Sequence, residues 1–458
     1  MRYIQYYKGL YKGKRVKNMH DYGFIFDLAM ILLSTKIMGI VSKKFQMPQV
    51  VGALLAGLIF GPACLNIIHD TSFVAATAEI GVIVLMFGAG METDINELKK
   101  SGKASFVIAC FGVLVPLVGG YFVADYFNQA GRIASDATGS VVLQNIFMGI
   151  ILTATSVSIT VETLKELGKL KTRSGNAILG AAIIDDILGI IGLTIVTSFT
   201  DSSVKLYIVL LKTVGFFVFA AVVGVIFYKV YSYWSESEER DLHRHTIIAL
   251  VFCLLMSYIA EEVFGVADIT GAFVAGLVLS NTKRCHYVSA KFDVLSYLYL
   301  SPIFFASIGL KVVLPPMTGT IISFAVILTL VAILSKIIGC GLGAKMCGYQ
   351  NYQCMRIGTG MISRGEVALI VASKGAALGL LGSNFIGPLV VVVVITTVIT
   401  PVLLKIVFKK GPAGSTLQLE PGMKGFSHNF EVKSLLRNFT QNDVDSKASS
   451  SEDSKDVK

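Results

Sequence analysis

Charge is what this chain has least of. Lys, Arg, Asp and Glu make up 15% of its 458 residues against 54% hydrophobic ones, whereas about a quarter of residues are charged in a usual soluble domain. With a mean hydropathy of +0.70, a soluble globular domain is excluded. The seven cysteines form no CxxC and no Cys/His cluster. Cys64, Cys110, Cys253 and Cys340 sit inside apolar runs, where they read as small hydrophobes, so no metal site is expected. The net charge of +10 is gathered in short loops and shows no basic patch interleaved with aromatics, which speaks against nucleic acid. No GxGxxG follows a strand, and no cofactor is expected.

Long apolar runs are what the chain has instead. They recur at intervals of roughly 30 residues, each near the roughly 20 residues a helix needs to cross the bilayer core. Thirteen spans are expected, at about 22–41, 48–66, 73–92, 104–127, 143–166, 175–199, 204–232, 245–262, 267–281, 288–311, 319–345, 353–376 and 383–408. The runs are continuous and rich in Ile, Leu, Val, Gly and Ala. Membrane strands would instead alternate over about ten positions, so the fold expected is an all-α polytopic membrane bundle.

Lys and Arg set its orientation. Lys43, Lys44, Lys99, Lys100, Lys103, Lys165, Lys169, Lys171, Arg173, Arg240, Arg244, Lys283, Arg284, Lys291, Lys345 and Arg356 fall in alternate loops. The opposite loops offer little beyond Arg132, Lys205, Lys311 and Lys374. The first set is expected to be cytoplasmic in a multi-pass cell-membrane protein, with the N-terminus outside and the C-terminus inside. The basic segment 1–21 opposes this, and a translation start at Met19 would remove the conflict. Residues 22–408 form the membrane domain, and the polar, low-complexity stretch 409–458 is expected to be a short disordered tail with no room for a nucleotide-binding domain.

Inside this apolar chain, AIIDDILGII at 182–191 carries adjacent carboxylates, Asp185 and Asp186. With a helix starting near Ser174, Asp185 lies about 16 Å in at 1.5 Å per residue, close to mid-bilayer. Each acidic residue there costs about 2.5–3.5 kcal/mol on insertion scales, so two in succession mark a working site or a structural ion pair. Neighbouring helical residues point about 100° apart, so the two carboxylates have different partners. Lys336, about 14 Å in from Lys345 along its own helix, lies at matching depth to either of them. Arg364 and Glu366 in GTGMISRGEVALIV form the next charged cluster, as a helix-binding salt bridge or as participants in transport. Asp27 and Glu79 lie nearer the ends of their spans, where a polar contact or solvation suffices.

Two spans look breakable. Thr153, Ala154, Thr155, Ser156 and Ser158 interrupt one apolar helix with hydroxyls, which either bond back to the preceding turn or, with the helix unwound, join free carbonyls as ligands for a small hard cation. Gly358, Gly360, Ser363 and Gly365 weaken a second helix. A polar-interrupted helix followed by a carboxylate helix, and a lysine helix followed by a glycine-interrupted one, resemble the halves of an inverted-repeat transporter, although no close sequence repeat accompanies them.

PQVVGALLAGLIFGP at 48–62, AEIGVIVLMFGAGMETD at 78–94, TATSVSITVETLKELG at 153–168, AAIIDDILGII at 181–191, GAFVAGLVLS at 271–280, SPIFFASIGL at 301–310 and MISRGEVALIV at 361–371 together resemble the monovalent cation:proton antiporter-2 family, which includes the Nap and Kef types. The resemblance spans residues 22–408, and the Asp-Asp pair is similar to its electrogenic Na+/H+ branch. It implies a homodimer with a dimerisation domain, inverted repeats with two broken crossing helices, and a mobile six-helix core at about 104–199 and 319–408. By motif it implies Asp186 as the group that binds cation or proton, Asp185 as the partner of Lys336, Thr155 and Ser156 at the first break, and Arg364 and Glu366 in the matching second-half helix. It also implies exchange of Na+, or Li+, for H+ by competition for Asp186. A second proton from Lys336, on breaking its ion pair, would make the cycle electrogenic.

Three rivals stand beside this expectation. A K+/H+ antiporter or Kef-type K+ efflux transporter would use the same carboxylates, although the missing nucleotide-binding domain speaks against the gated Kef form. A channel has no need of proton-coupled acids. An intramembrane aspartyl protease needs two aspartates on one water and a GxGD, so no enzymatic activity is expected.

Overall fold

A computed structural model describes residues 23–45, 47–129, 132–133, 136–199, 206–237, 242–312 and 318–409. The expectations for the segment 1–21, for a start at Met19 and for the tail beyond Lys409 lie outside the described residues. All regular structure within them is helical. In chain order the helices are α1 (Gly23–Lys44), α2 (Gln49–Phe60), α3 (Ser72–Glu92), α4 (Ile95–Phe127), α5 (Val141–Thr153), α6 (Val157–Glu166), α7 (Arg173–Ser198) and α8 (Leu206–Ser237). Then come α9 (Leu242–Tyr258), α10 (Asp268–Leu279), α11 (Cys285–Leu295), α12 (Ser301–Leu310), α13 (Gly319–Met346), α14 (Asn351–Gly360), α15 (Glu366–Ala377) and α16 (Ser383–Lys409). A π-helical turn at Ser296–Leu300 joins α11 to α12 in one continuous rod. Another, at Ile259–Val263, extends α9.

Among the described residues ten stretches are long and apolar enough to cross a membrane, and Gln49–Phe60, Asp268–Leu279 and Val367–Ala377 are shorter apolar helices. Two boundaries differ from the sequence expectation for local reasons. The second span stops at Phe60 rather than near 66, because Gly61 leaves the helix and Asn66 takes a positive φ of 50°. The fourth starts at Ile95 rather than 104, where the Asp94 carboxylate caps it by accepting from Asn96 N at 2.7 Å. Its first turns thus carry Lys99, Lys100 and Lys103, whose charges belong outside hydrocarbon.

The helices pack in two sets. In one, α4 lies along α13, α5 and α7, while α13 also packs on α14 and α16. In the other, α3 packs on α10 and α12, α2 on α1 and α12, and α9 on α10. The sets touch mainly through α6, which reaches α2 and α3, through α16 against α2, and through α7 against α8. Between membrane helices there is little hydrophobic drive, and small residues that let backbones approach supply the packing instead. At the α3–α10 crossing a Cβ on Gly90 would lie 2.2 Å from Phe273 O, and one on Gly276 2.1 Å from Phe87 O.

Gly276→Val is therefore expected to separate α3 from α10 and to cost at least about 1–3 kcal/mol, the usual penalty of overpacking. Thermal unfolding in detergent reads this as a lowered midpoint, and an unchanged midpoint would show that the close approach is absent.

Candidate functional site

Both helices with interrupted sequence patterns are broken, and the breaks lie against each other. After Thr153 the chain is extended through Ala154 (φ −55°, ψ 131°) and Ser156 (φ −86°, ψ 102°) before α6 begins. The second break runs from Met361 to Gly365. Non-helical backbone at membrane depth has to be satisfied by protein or by a water-lined cavity, and here each break satisfies the other. Ser156 N donates to Ser363 O at 2.7 Å, and Ser363 Oγ donates back to Ser156 O at 2.8 Å. Thr160 Oγ1 donates to Gly360 O at 2.7 Å and lies 2.8 Å from Ser363 Oγ. Gly365 leaves room for this clasp, since a Cβ there would lie 2.7 Å from Ser156 Oγ.

Arg364 closes what remains. Its guanidinium is buried and donates to Leu152 O at 2.6 Å, Ile362 O at 2.9 Å and Ala332 O at 3.2 Å, while its carbonyl accepts from Thr397 Oγ1. Leu152 lies in the last turn of α5, where carbonyls lack helical partners and the helix dipole presents negative charge. A fixed cation at that end is electrostatically favoured. Opposite it, Asp185 receives the hydroxyl of Thr155, next to the N-terminus of α6, at 2.7 Å. There the dipole favours an anion.

Lys336 Nζ lies 3.0 Å from Asp185 Oδ2 and 3.1 Å from Oδ1, and the two side chains are 0% and 1% exposed. A pair this deep is held by geometry, because each charge alone would lose its hydration without return. Gly112 on α4 roofs the pair. A Cβ at that position would lie 2.7 Å from Cys340 Sγ, 3.6 Å from Asp185 Oδ1 and 3.8 Å from Lys336 Nζ. Asp186 is half-buried and points about 100° away from Asp185 around α7. Ser156 Oγ is buried with no hydrogen-bond partner, an oxygen with lone pairs to offer beside the break. Thus Asp185, Lys336, Thr155, Ser156 and Arg364 gather around one crossing. Glu366 opens α15, and its side chain lies outside the described residues.

Sequence inspection missed Gly112, Thr160, Thr397 and the closeness of Cys340. Thr160 had a local signal, since it continues the hydroxyl-rich run 153–160. The others act through distant helices and carry none.

The surroundings of α7 are unequal along its length. From Ser174 to Ala182, next to the Lys/Arg-rich loops, every residue is buried, whereas residues 186–193 are all half-exposed. On α3 the residues after Gly81 are likewise almost all buried, and those before it are more open.

A polytopic helical bundle with two mutually clasped helix breaks and a buried acid–base pair beside them is the architecture of a membrane ion exchanger. The chain belongs to the family described as sodium/hydrogen exchanger, transmembrane, which it matches over residues 30–410. Its relatives include the Na(+)/H(+)-K(+) antiporter GerN of Bacillus cereus, 40% identical over 389 residues, covering 85% of this chain and 97% of that protein. They also include a Na(+)/H(+) antiporter of Enterococcus hirae, 39% identical over 393 residues, covering 84% and 98%. The solved sodium proton antiporter MjNhaP1 of Methanocaldococcus jannaschii superposes with a TM-score of 0.62 at 18% identity, covering 84% of this chain and 98% of that one, a likeness of fold. The protein is a membrane antiporter of monovalent cations and protons.

Lys336→Ala strands the Asp185 charge and is expected to cost about 3–5 kcal/mol, while Lys336→Met with Asp185→Leu together stay within about 1–2 kcal/mol of the parent or exceed its stability. Melting of the three proteins checks this. Equal losses in single and double variants would mean that the charges are not paired.

Proposed function

We propose that the chain exchanges Na+ (or Li+) for H+ electrogenically at Asp186, with Asp185 and Lys336 as a coupled ion pair. The observation that carries the proposal is a fully enclosed Asp185–Lys336 pair beside a half-exposed second carboxylate at a clasped double break. An ionised Asp186 holds a dehydrated cation with oxygens of Thr155, Ser156 and the unwound backbone, and a protonated one releases it. Exchange follows because the site crosses with one ligand or the other. Breaking the Asp185–Lys336 pair frees a second proton, which makes two protons per cation.

The short helices Gln49–Phe60 and Asp268–Leu279 and the second broken helix bring the crossings to thirteen under this proposal. The set α4–α7 with α13–α16 is the mobile core and the other set the dimerisation domain of a homodimer. The Lys/Arg-rich ends face the cytoplasm, with the N-terminus outside and the C-terminus within. The half-exposed stretch of α7 then lies on the outer side, which supports an outward-open arrangement.

A K+ component is a second reading, favoured by the naming of its Bacillus cereus relative as a Na(+)/H(+)-K(+) antiporter. In proteoliposomes carrying a pH-sensitive dye, the wild type is expected to dissipate an imposed pH gradient on addition of Na+ or Li+, faster when an electrical potential assists. Asp186→Asn is expected to lower that rate to the level of empty liposomes, and unchanged exchange would show the site to be elsewhere. An equal response to K+ would establish the second reading.

A further inference from the structure

Among the described residues, Lys165 and Glu166, the last two of α6, make polar contacts between the two helix sets at their Lys/Arg-rich end. Lys165 Nζ reaches Glu92 Oε1 at the end of α3 at 2.9 Å and Asp293 Oδ1 on α11 at 2.5 Å. Both carboxylates belong to the other set. Glu166 turns to α2, where both of its carboxylate oxygens accept from Gln49 N at 2.8 Å. That second contact has a reason in the sequence. Helix α2 is preceded by Pro48, whose side chain offers no cap, and the first N–H groups of a helix need an acceptor and favour negative charge. Glu166 supplies both from a different bundle. Beside it a groove of about 200 Å3 is lined by Lys43, Met47, Pro48, Leu167 and Lys405, residues of α1, the α1–α2 loop, the end of α6 and α16.

We propose that Lys165 and Glu166 form a latch that holds the Lys/Arg-rich side shut and must release whenever the site opens to that side. This rests on the two-set exchange proposed above. Helix α6 is the element suited to the task. Its ten residues are a rigid rod of about 15 Å, with the first break at Ser156 on one end and the latch on the other. Movement of the crossing therefore moves the latch. While it is closed, the half of α7 on this side and the second half of α3 stay buried. Opening exchanges three cross-set contacts for water, so the latch sets the balance between the two open states and leaves cation chemistry to the crossing.

The reporter for a test is Gly88. A Cβ there meets only Lys165 Nζ, at 3.7 Å, an ordinary contact, so a cysteine is accommodated directly beneath the latch. In a full-length chain with its seven native cysteines replaced, Gly88→Cys is expected to react slowly with a membrane-impermeant maleimide added at the Lys/Arg-rich side. Lys165→Glu is expected to raise the rate by about tenfold, equivalent to about 1.4 kcal/mol, because it opposes like charges at Glu92 and Asp293. Glu166→Gln, which does not approach Gly88, is expected to raise it several-fold, and this separates opening from local space. Reversing the charges together, with Lys165→Glu, Glu92→Lys and Asp293→Lys, is expected to bring the rate back towards the parent. Unchanged labelling in folded Glu166→Gln and Lys165→Glu, or no recovery in the reversal, would overturn the latch. Exchange that still depends on Asp186 in that event would leave the proposed function standing, whereas exchange indifferent to Asp186 would remove that function whatever the labelling shows.

Discussion

The structure turns on one requirement: a peptide backbone that leaves helical geometry inside a bilayer has to find partners within the protein, since lipid offers none. Two breaks meet that requirement together where neither meets it alone. The reciprocal bonds between Ser156 and Ser363 and the bond from Thr160 to Gly360 O join α5, α6, α14 and α15 at a single point. The helices around that point, α4, α7, α13 and α16, pack as one body.

Electrostatics then assigns the charges their places. Broken helices present partial charges of both signs to the membrane interior, and the fixed ions answer them: Arg364 on the carbonyl end of α5, Asp185 beside the amide end of α6. Lys336 neutralises Asp185 in turn. Asp186, the next residue along α7, is half-exposed. The same principle recurs at the surface, where Glu166 answers the amide end of α2 from a neighbouring bundle. Helix ends thus organise both the interior of the site and the seam at the edge.

Helical class, apolar runs, the two interruptions and the depth match of Lys336 with the aspartates were all legible in the sequence, because each is a local pattern of hydropathy, hydroxyls or charge read at 1.5 Å per residue. Asp185 and Asp186 stood equal as partners of Lys336 on depth alone, and the resemblance favoured the first. Which of the two meets the lysine is set by the rotation of α7 against α13, a tertiary quantity. The start of α4 was placed nine residues late because its lysines masked a capped polar first turn. Gly112 was invisible for a different reason. Its meaning lies in Cys340 and Lys336, more than 200 residues away in sequence, and nothing in the local run FGVLVP distinguishes that glycine from its neighbours.

The central claim is that cation and proton compete for one carboxylate at the crossing. Calorimetric titration of the purified protein with Na+ across a range of pH tests it most directly. The expected result is an apparent affinity that weakens as pH falls, by up to about tenfold per pH unit for each proton displaced, with proton release on Na+ binding and no binding by Asp186→Asn. Na+ affinity that is the same at every pH, or undiminished in that variant, would contradict the account.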